Sequence, residues 1–244
     1  MYTNNLIVHS PNCHIVKYAD DTAIVGLFTS NDIQPYIDQV SYTASWCEEN
    51  NLLLNATKTK EIIFDFRRSA NIHEPLSINN SQVDIVTSYK YLGTIIDNKL
   101  SWSEHISYVF SKCQQRLYFL RVLSKFDVEH TILQLFYSSV IQSVITFGFT
   151  VWWSSITEQN KYKLNKIWKN CCKVTCCELP LLTDLYQKKV VNSVSELCVS
   201  YNHPLNHLYI FMKSGQRLRA SSCRTHRFRT SFVPNSIHVY NSMM

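Results

Sequence analysis

Two aspartates stand side by side, Asp20 and Asp21, between the apolar segments HIVKYA and TAIVGLF. The alternation in these segments predicts two β-strands joined by a tight turn that contains both carboxylates. Adjacent carboxylates repel one another, so water or a cation must offset the cost of placing them together. Mg²⁺ accepts oxygen ligands from one or two carboxylates and keeps positions open for phosphates, as phosphoryl transfer requires. A solvated Asp-Asp turn without a metal is the alternative.

The surrounding pattern predicts the elements that must position this pair. After Ser30-Asn31-Asp32, an apolar stripe from Ile33 to Cys47 predicts a helix that ends near Asn50-Asn51. The segments LLLN, EIIFDF, QVDIV and YKYLGTIID then predict short strands. Ser101-Trp102-Ser103-Glu104 resembles a capping box that opens a helix through about Leu123, and the chain beyond it is predicted to be almost wholly helical. The fold class is therefore α+β, with a boundary near residue 100.

No charged residue occurs from Thr131 to Thr157, a length that could span a bilayer. Polar side chains nevertheless recur through this segment, and Leu133, Phe136, Val140, Val144 and Phe147 follow an amphipathic spacing. We therefore expect a buried helix and no transmembrane segment. The neighbouring Trp152-Trp153 is expected in the core, with a base-stacking platform as the alternative.

The composition indicates a folded intracellular protein. The 244 residues are 45% hydrophobic and 13% aromatic, which is enough to build a core. Glycine occurs only 4 times, and no phosphate-cradling glycine motif is present. An odd cysteine count of 9, with no signal peptide at the start, predicts reduced thiols and a location in the nucleus or cytoplasm.

The net charge of +6 conceals an asymmetry along the chain. Residues 1–160 contain 11 Lys/Arg and 15 Asp/Glu, whereas residues 161–244 contain 13 Lys/Arg and 3 Asp/Glu. A basic C-terminal third favours a polyanionic partner, of which nucleic acid is the commonest. A merely solvated basic face is the alternative.

A family resemblance accompanies the aspartate pair. KYADDTAIVG is similar to motif C of reverse transcriptases, in the form found in non-LTR (LINE-type) retrotransposons. Four further segments resemble, in order, motif D, the primer grip of motif E, the thumb entry and the C-terminal segment of these proteins: WCEENNLLLNATKTK, YLGTII, QRLYFLRVL, and SGQR with RTHR. The resemblance covers nearly the whole chain.

The resemblance implies roles for individual residues. Asp20 and Asp21 would be catalytic carboxylates that bind metal, and Lys58 would be a catalytic lysine near the phosphates of the incoming nucleotide. Tyr91, Leu92 and Gly93 would form the primer grip. Residues that would contact nucleic acid are Lys60, Lys112, Arg116, Arg121, Arg217, Arg219, Arg224, Arg227 and Arg229. For the lysines and arginines, a solvated surface is the plainer interpretation, and for the grip it is ordinary strand packing.

The resemblance also implies the architecture and the partners. Residues 1–100 would be an incomplete palm of β-hairpin, helix and short antiparallel strands, 101–156 a helical thumb, and 157–244 a basic helical region with an irregular tail. Two Mg²⁺ ions would act only in a complete palm. RNA template, DNA primer and deoxynucleoside triphosphates would be the parent enzyme's partners and substrates.

The chain departs from the family at its start. The family has a further metal-binding aspartate and a Gly-rich segment upstream of motif C, and only nineteen residues precede Asp20 here. We therefore expect a truncated reverse-transcriptase fragment that is inactive alone. A non-catalytic nucleic-acid-binding remnant and the functionless product of a decayed insertion are the alternatives.

Two other patterns are weaker. Cys171-Cys172 and Cys176-Cys177 could supply thiols, but four cysteines on one helix cannot all point together, so zinc is not expected. The histidines His203 and His207 follow no standard finger spacing. Residues from about 58 to 113 resemble a segment catalogued with an AlkB homologue, yet none of the nine histidines is followed two positions later by Asp or Glu. Such a label would therefore imply no dioxygenase activity.

Overall fold

The computed structural model describes residues 5–28, 32–67 and 74–243, and it divides into two compact units, 1–89 and 90–244. Ser30 and Asn31, which belong to the predicted helix start, lie outside the described residues. The described chain is mixed α+β, as predicted, with strands concentrated before residue 98 and helices after it. Among these residues, no helix is long and apolar enough to cross a membrane.

The first unit opens with the predicted hairpin. Strand β1 (Cys13–Tyr18) pairs antiparallel with β2 (Asp21–Gly26), in a register that places Tyr18 opposite Asp21. Helix α1 (Gln34–Glu49) follows, close to its predicted ends, with a proline in its first turn. Gln39 of α1 accepts the backbone N–H of His9 at 2.7 Å, which attaches the chain before β1 to the helix.

The strands that follow are shorter than the sequence predicted. LLLN is loop, and EIIFDF contributes only β3 (Lys60–Glu61). Strand β3 pairs in parallel with β6 (Asp84–Ile85), contrary to the antiparallel expectation, while β4 (Ser77–Ile78) and β5 (Ser81–Gln82) form a small hairpin. These segments supply single apolar residues to a small core instead of pairing along their length. That core contains Val40, Ala44, Leu76, Ile78 and Val83.

A second hairpin leads into the helical unit. Strands β7 (Ser88–Tyr91) and β8 (Thr94–Asp97) pair, and α2 (Ser103–Lys125) begins six residues after β8. The predicted capping box does not form, because Trp102 is the N-cap and no side chain of the box caps the helix.

The Asp97 carboxylate binds the turn before α2 instead. It accepts hydrogen bonds from the backbone N–H groups of Lys99, Ser101 and Trp102, at 3.1, 3.0 and 2.8 Å. Burial opposes ionisation of this carboxylate, but the hydrogen bonds outweigh burial and lower the pKa of Asp97. The carboxylate at the end of the preceding strand therefore fixes the turn that leads into α2, although its backbone donors all lie before the helix.

The uncharged segment from Thr131 to Thr157 buries one stripe of side chains, as its amphipathic spacing predicted, but in a different phase. Helix α3 (His130–Phe136) continues into a π-helical stretch (Tyr137–Gln142) and α4 (Ser143–Ile145). The buried stripe is Leu133, Tyr137, Ile141, Ile145 and Phe149, whereas Phe147 of the predicted stripe is 52% exposed. The π-helical turn holds more residues than an α-helical one, so side chains four apart stay on one face.

The remaining helices pack around one hydrophobic core. They are α5 (Phe149–Trp152), α6 (Glu158–Thr175), α7 (Leu182–Val199) and α9 (Phe232–Met243), whereas the short α8 (His226–Thr230) has no buried residue. Trp152 and Trp153 are buried in this core, as predicted. Between α7 and α8 the chain forms a bridged turn in which Phe211 pairs with Leu218. Asn241 of α9 binds both the N–H and the carbonyl of Leu218.

Candidate functional site

The aspartate pair lies at the tip of the first hairpin. Tyr18 and Asp21 face each other across the strands, so Ala19 and Asp20 form a two-residue turn and Asp21 is the first residue of β2. Ala19 has a φ of 54°, the left-handed conformation that tight hairpin turns use. Asp20 and Asp21 are both exposed, so their carboxylates are open to solvent and to ligands.

The donor set at this tip suits Mg²⁺ in kind, because carboxylate oxygens are the ligands that this ion prefers. Within residues 5–28, 32–67 and 74–243, however, no group of three or more His, Cys, Asp or Glu side chains is placed to hold a metal. The pair could therefore contribute two ligands from one turn, and further ligands would have to come from water, phosphate or other carboxylates.

The two candidate lysines of the KTK segment differ in their environment. Lys60 donates to the Asp84 carboxylate at 2.5 Å, across the β3–β6 pair. Lys58 lies in the preceding turn, where its backbone N–H is bound by Asn55, and its exposed ammonium forms no ion pair with any described residue. Lys58 is therefore the lysine that is available to a ligand.

The predicted primer-grip segment forms the turn of the second hairpin. Leu92 and Gly93 separate β7 from β8 and have φ angles of 45° and 84°. Positive φ at both central residues identifies a type I′ turn, whose twist suits a two-residue hairpin. A Cβ on Gly93 would lie 3.1 Å from the Phe147 ring, so both the conformation and the space favour glycine. Leu92 takes the left-handed conformation at a cost of about 1–2 kcal/mol.

The cationic residues predicted on α2 do not share one environment. Arg121 is exposed, and Lys112 is half-buried with its ammonium 4.7 Å from the centre of the Tyr108 ring. Arg116 instead donates to the backbone carbonyl of Val140 in the π-helical stretch. Of the three predicted phosphate contacts on this helix, Arg116 is thus already engaged within the protein.

Three residues that the sequence reading did not single out belong to this region. Lys90 donates to the hydroxyl of Tyr108 at 3.0 Å, beside Lys112. His105 is 2% exposed, and its Nδ1 accepts the backbone N–H of Ile95 in β8. The spacing of Tyr108 and Lys112 at i and i+4 on a helix could have revealed their contact, but the contact of Lys90 arises only from the fold.

His105 attaches α2 to the hairpin of β7 and β8. Since Nδ1 accepts a hydrogen bond, the proton of the neutral ring is on Nε2, which is buried and has no hydrogen-bond partner among the described residues. Its ring meets the Trp152 ring edge-on, with 5.3 Å between centroids. Burial lowers the pKa of His105 to about 4, so the ring is neutral near pH 7.

The five predicted arginines of the tail are all exposed: Arg217, Arg219, Arg224, Arg227 and Arg229. The first two flank Leu218, whose backbone is bound by Asn241. The others lie before or within α8, where the Thr225 hydroxyl accepts the Phe228 N–H and caps the helix. Exposed guanidinium groups on an anchored backbone are suited to phosphate contacts.

The cysteines are not arranged around a common point. Cys171 is buried and Cys172 half-buried on α6, whereas Cys176 is exposed at its C-cap. Burial raises the pKa of the Cys171 thiol to about 12, and it does the same for Cys113 on α2. Such thiols behave as small apolar side chains.

Two curated relatives are similar to parts of this chain. The probable RNA-directed DNA polymerase from transposon BS of Drosophila melanogaster is 24% identical over 165 residues, which are 64% of this chain and 17% of that protein. The RNA-directed DNA polymerase from mobile element jockey, also of Drosophila melanogaster, is 33% identical over 98 residues, which are 38% of this chain and 10% of that protein. No solved structure matches the chain.

One family profile matches a short internal segment. It is described as the N-terminal part of alkylated DNA repair protein alkB homolog 8, and it covers residues 102–143. The match begins and ends later than the expected 58–113. Its two histidines are His105, which binds the Ile95 N–H, and His130, which lies 3.0 Å from the Thr175 carbonyl. Neither contact is with a carboxylate of the kind that a dioxygenase iron site needs.

The chain spans only 17% and 10% of the lengths of these two relatives. Part of this chain is thus similar to the RNA-directed DNA polymerases from two mobile elements of Drosophila melanogaster.

Proposed function

We propose that this chain supplies part of the reverse transcriptase of a non-LTR retrotransposon. Residues 1–100 would contribute to the palm, 101–156 would form the thumb, and 157–244 would be the basic C-terminal region. The observation that carries the proposal is the exposed Asp20–Asp21 pair at a hairpin tip, in a chain similar to two RNA-directed DNA polymerases.

Asp20 and Asp21 would bind Mg²⁺ through their exposed carboxylates. When bound, Mg²⁺ activates the primer hydroxyl and neutralises charge on the leaving pyrophosphate. Lys58 would contact the phosphates of the incoming nucleotide, and its free ammonium supports this role over Lys60, which Asp84 already binds.

The hairpin turn of Tyr91, Leu92 and Gly93 would hold the end of the DNA primer. Lys112 and Arg121 on α2, together with the tail arginines, would contact phosphates of the RNA template and the primer. Arg116 would act indirectly, because its guanidinium binds the Val140 carbonyl and so positions α2 against the π-helical stretch.

A second candidate is a nucleic-acid-binding protein without polymerase activity. It is favoured by the single turn that carries the paired aspartates, since the described residues offer no cluster of three metal ligands. The exposed arginines would serve this function equally well, because phosphate contacts need no catalytic metal.

The test is a fusion of this chain to the segment of the jockey polymerase that precedes its aligned region. Primer extension on an RNA template with Mg²⁺ should appear in the fusion and disappear when Asp20→Asn and Asp21→Asn are combined. Asp127→Asn is the matched control, since Asp127 is exposed and has a φ of 50°, which asparagine accommodates. Extension that survives the paired substitution would contradict a catalytic role for the pair.

A further inference from the structure

Two ammonium groups converge on one phenol beside the primer-grip hairpin. The Nζ of Lys90, on β7, lies 3.0 Å from the Tyr108 hydroxyl and 4.8 Å from its ring centre. The Nζ of Lys112, one helical turn after Tyr108, lies 4.7 Å from the same ring centre. Two cations beside a single side chain repel each other.

Among the described residues, no carboxylate forms an ion pair with either ammonium group. The ion pairs among residues 5–28, 32–67 and 74–243 involve other lysines and arginines, and neither Lys90 nor Lys112 takes part in them. Hydrogen bonds from Lys112 and Lys90 stabilise the phenolate, so they lower the pKa of Tyr108. The electrostatic field at this point is therefore positive and lacks a counter-ion from the described chain.

The Tyr108 hydroxyl and the two ammonium groups present hydrogen-bond donors to solvent. Because the Tyr108 oxygen accepts from Lys90, its own proton is free to donate outward. Each ammonium retains further N–H donors, and neither lysine offers an acceptor. Donors that converge without an acceptor fit an anion with several oxygens, such as a phosphate.

The phenol is held firmly enough to act as a platform. Tyr108 is half-buried against the main hydrophobic core, and Lys90 stands two residues before Leu92 in the type I′ hairpin. Lys90 comes from β7 and the other two side chains come from α2, and the hydrogen bond between His105 and Ile95 joins α2 to β8, the partner strand of β7.

We infer that Lys90, Tyr108 and Lys112 form a binding site for a backbone phosphodiester of nucleic acid. The inference rests on the proposed function, in that the occupant would be the nucleic acid held by the primer-grip hairpin and α2. It adds Lys90 and Tyr108 to the residues that bind the duplex, and it gives Lys112 a defined partner.

The test uses the full 244-residue chain and a fluorescent RNA–DNA hybrid duplex, with affinity measured by anisotropy over a range of salt concentrations. Lys90→Gln and Lys112→Gln should each reduce the slope of log affinity against log salt by about 0.9 if a phosphate contact is lost. Lys125→Gln is the matched control, because Lys125 is exposed at the end of the same helix. It should change the slope by less than about half of that amount. Thermal unfolding of each variant checks that the fold is retained.

Tyr108→Phe separates the hydroxyl from the charges. This variant keeps the ring and both lysines, so it should weaken binding by up to about tenfold, the worth of one hydrogen bond, with the salt slope nearly unchanged. If the unmodified chain binds the hybrid but Lys90→Gln and Lys112→Gln change the salt slope no more than Lys125→Gln does, the inferred phosphate site is contradicted. The proposed function is unaffected by that result. If the unmodified chain fails to bind the hybrid at low salt, the proposed function and the inference both fail.

Discussion

Arg116 and Val140 are joined by a hydrogen bond from the guanidinium of α2 to a backbone carbonyl in the π-helical stretch. A π-helical stretch shifts the helical hydrogen-bond pattern by one residue, which disturbs the regular pairing of its carbonyl groups. A side-chain donor from the neighbouring helix satisfies one of them. The bond therefore stabilises the π-helical stretch. A regular α-helix would not need this side-chain donor, because its own backbone N–H groups would pair with its carbonyl groups.

Arg116→Met should reduce the free energy of unfolding by about 1.5–3 kcal/mol, the usual worth of a hydrogen bond to a charged donor. Arg121→Met, on the same helix but exposed, should change it by less than about 0.5 kcal/mol. Urea unfolding followed by circular dichroism measures both. Equal free energies of unfolding for the two variants would show that the contact with Val140 does not stabilise the fold.

The pH dependence of stability should contain a contribution from His105. Its pKa is lowered to about 4 in the folded chain and is about 6.5 when unfolded, so the unfolded state binds more protons between these values. The stability that His105 contributes is present above about pH 6.5 and is lost as the pH falls toward about 4, to a total of up to roughly 3 kcal/mol.

His105→Asn keeps an acceptor for the Ile95 N–H and removes the titrating ring. The loss of stability between about pH 7 and pH 5 should be smaller in this variant than in the unmodified chain. His238→Asn, at an exposed position of α9, is the control and should retain the full loss. If the stability of His105→Asn depends on pH in the same way as that of the unmodified chain, a group other than His105 causes the loss of stability.

Local patterns were sufficient to predict the elements around Asp20. The alternation on either side of the pair fixed β1 and β2, and the stripe from Ile33 to Cys47 fixed α1 within a few residues. These elements depend on contacts between residues that are near in sequence. Asp20 is exposed because it lies in the two-residue turn, and Asp21 is exposed as the first residue of β2.

The predictions from sequence were wrong where contacts between residues distant in sequence determine the structure. Asp97 caps the turn before α2 because β8 ends beside it, and no local rule ranks it above Ser101. Likewise, the parallel pairing of β3 with β6 joins segments more than twenty residues apart. The phase of the buried stripe failed because an α-helical period was applied to a segment with a π-helical turn.

Hydrogen exchange should be faster in the first hairpin than in the helices that follow. β1 and β2 form a two-stranded sheet with no third strand among the described residues, and Val16, Tyr18 and Leu27 are exposed. In contrast, α2 buries Ile106 and Leu117 completely. Two-stranded sheets are marginally stable, so amides of residues 14–28 should exchange well before those of 103–145. Similar protection in both segments would contradict this expectation.

The exposed arginines near α8 should make nucleic-acid binding by the full chain sensitive to salt. Removing two phosphate contacts by Arg224→Gln with Arg229→Gln should reduce the log–log salt slope by about 1.8, at about 0.9 per contact. The charge-matched control is Lys99→Gln with Lys125→Gln, since both lysines are exposed and lie outside the basic third. Filter binding to single-stranded RNA measures the slopes. An equal reduction in both pairs would mean that net charge alone controls binding.

The 244-residue chain by itself should not extend a primer. Two-metal transfer needs carboxylates on both sides of the metals, so that the primer hydroxyl and the α-phosphate are held in line. Asp20 and Asp21 come from one turn, and Asp97, which is buried, is occupied by backbone N–H groups. Losing a single electrostatic donor already costs about 10²-fold or more in rate, and a missing metal ligand should cost more.

The measurement is primer extension on an RNA template with Mg²⁺ or Mn²⁺, in which the unmodified chain and an Asp20→Ala, Asp21→Ala double variant should be equally inactive. Extension by the unmodified chain that the double variant lacks would show that the pair finds its remaining ligands within these residues. Such a result would leave the catalytic assignment of the pair intact and overturn the expectation that the chain needs a further metal-binding carboxylate. Equal inactivity, together with activity in the jockey fusion, would show instead that the hairpin is competent once that carboxylate is supplied.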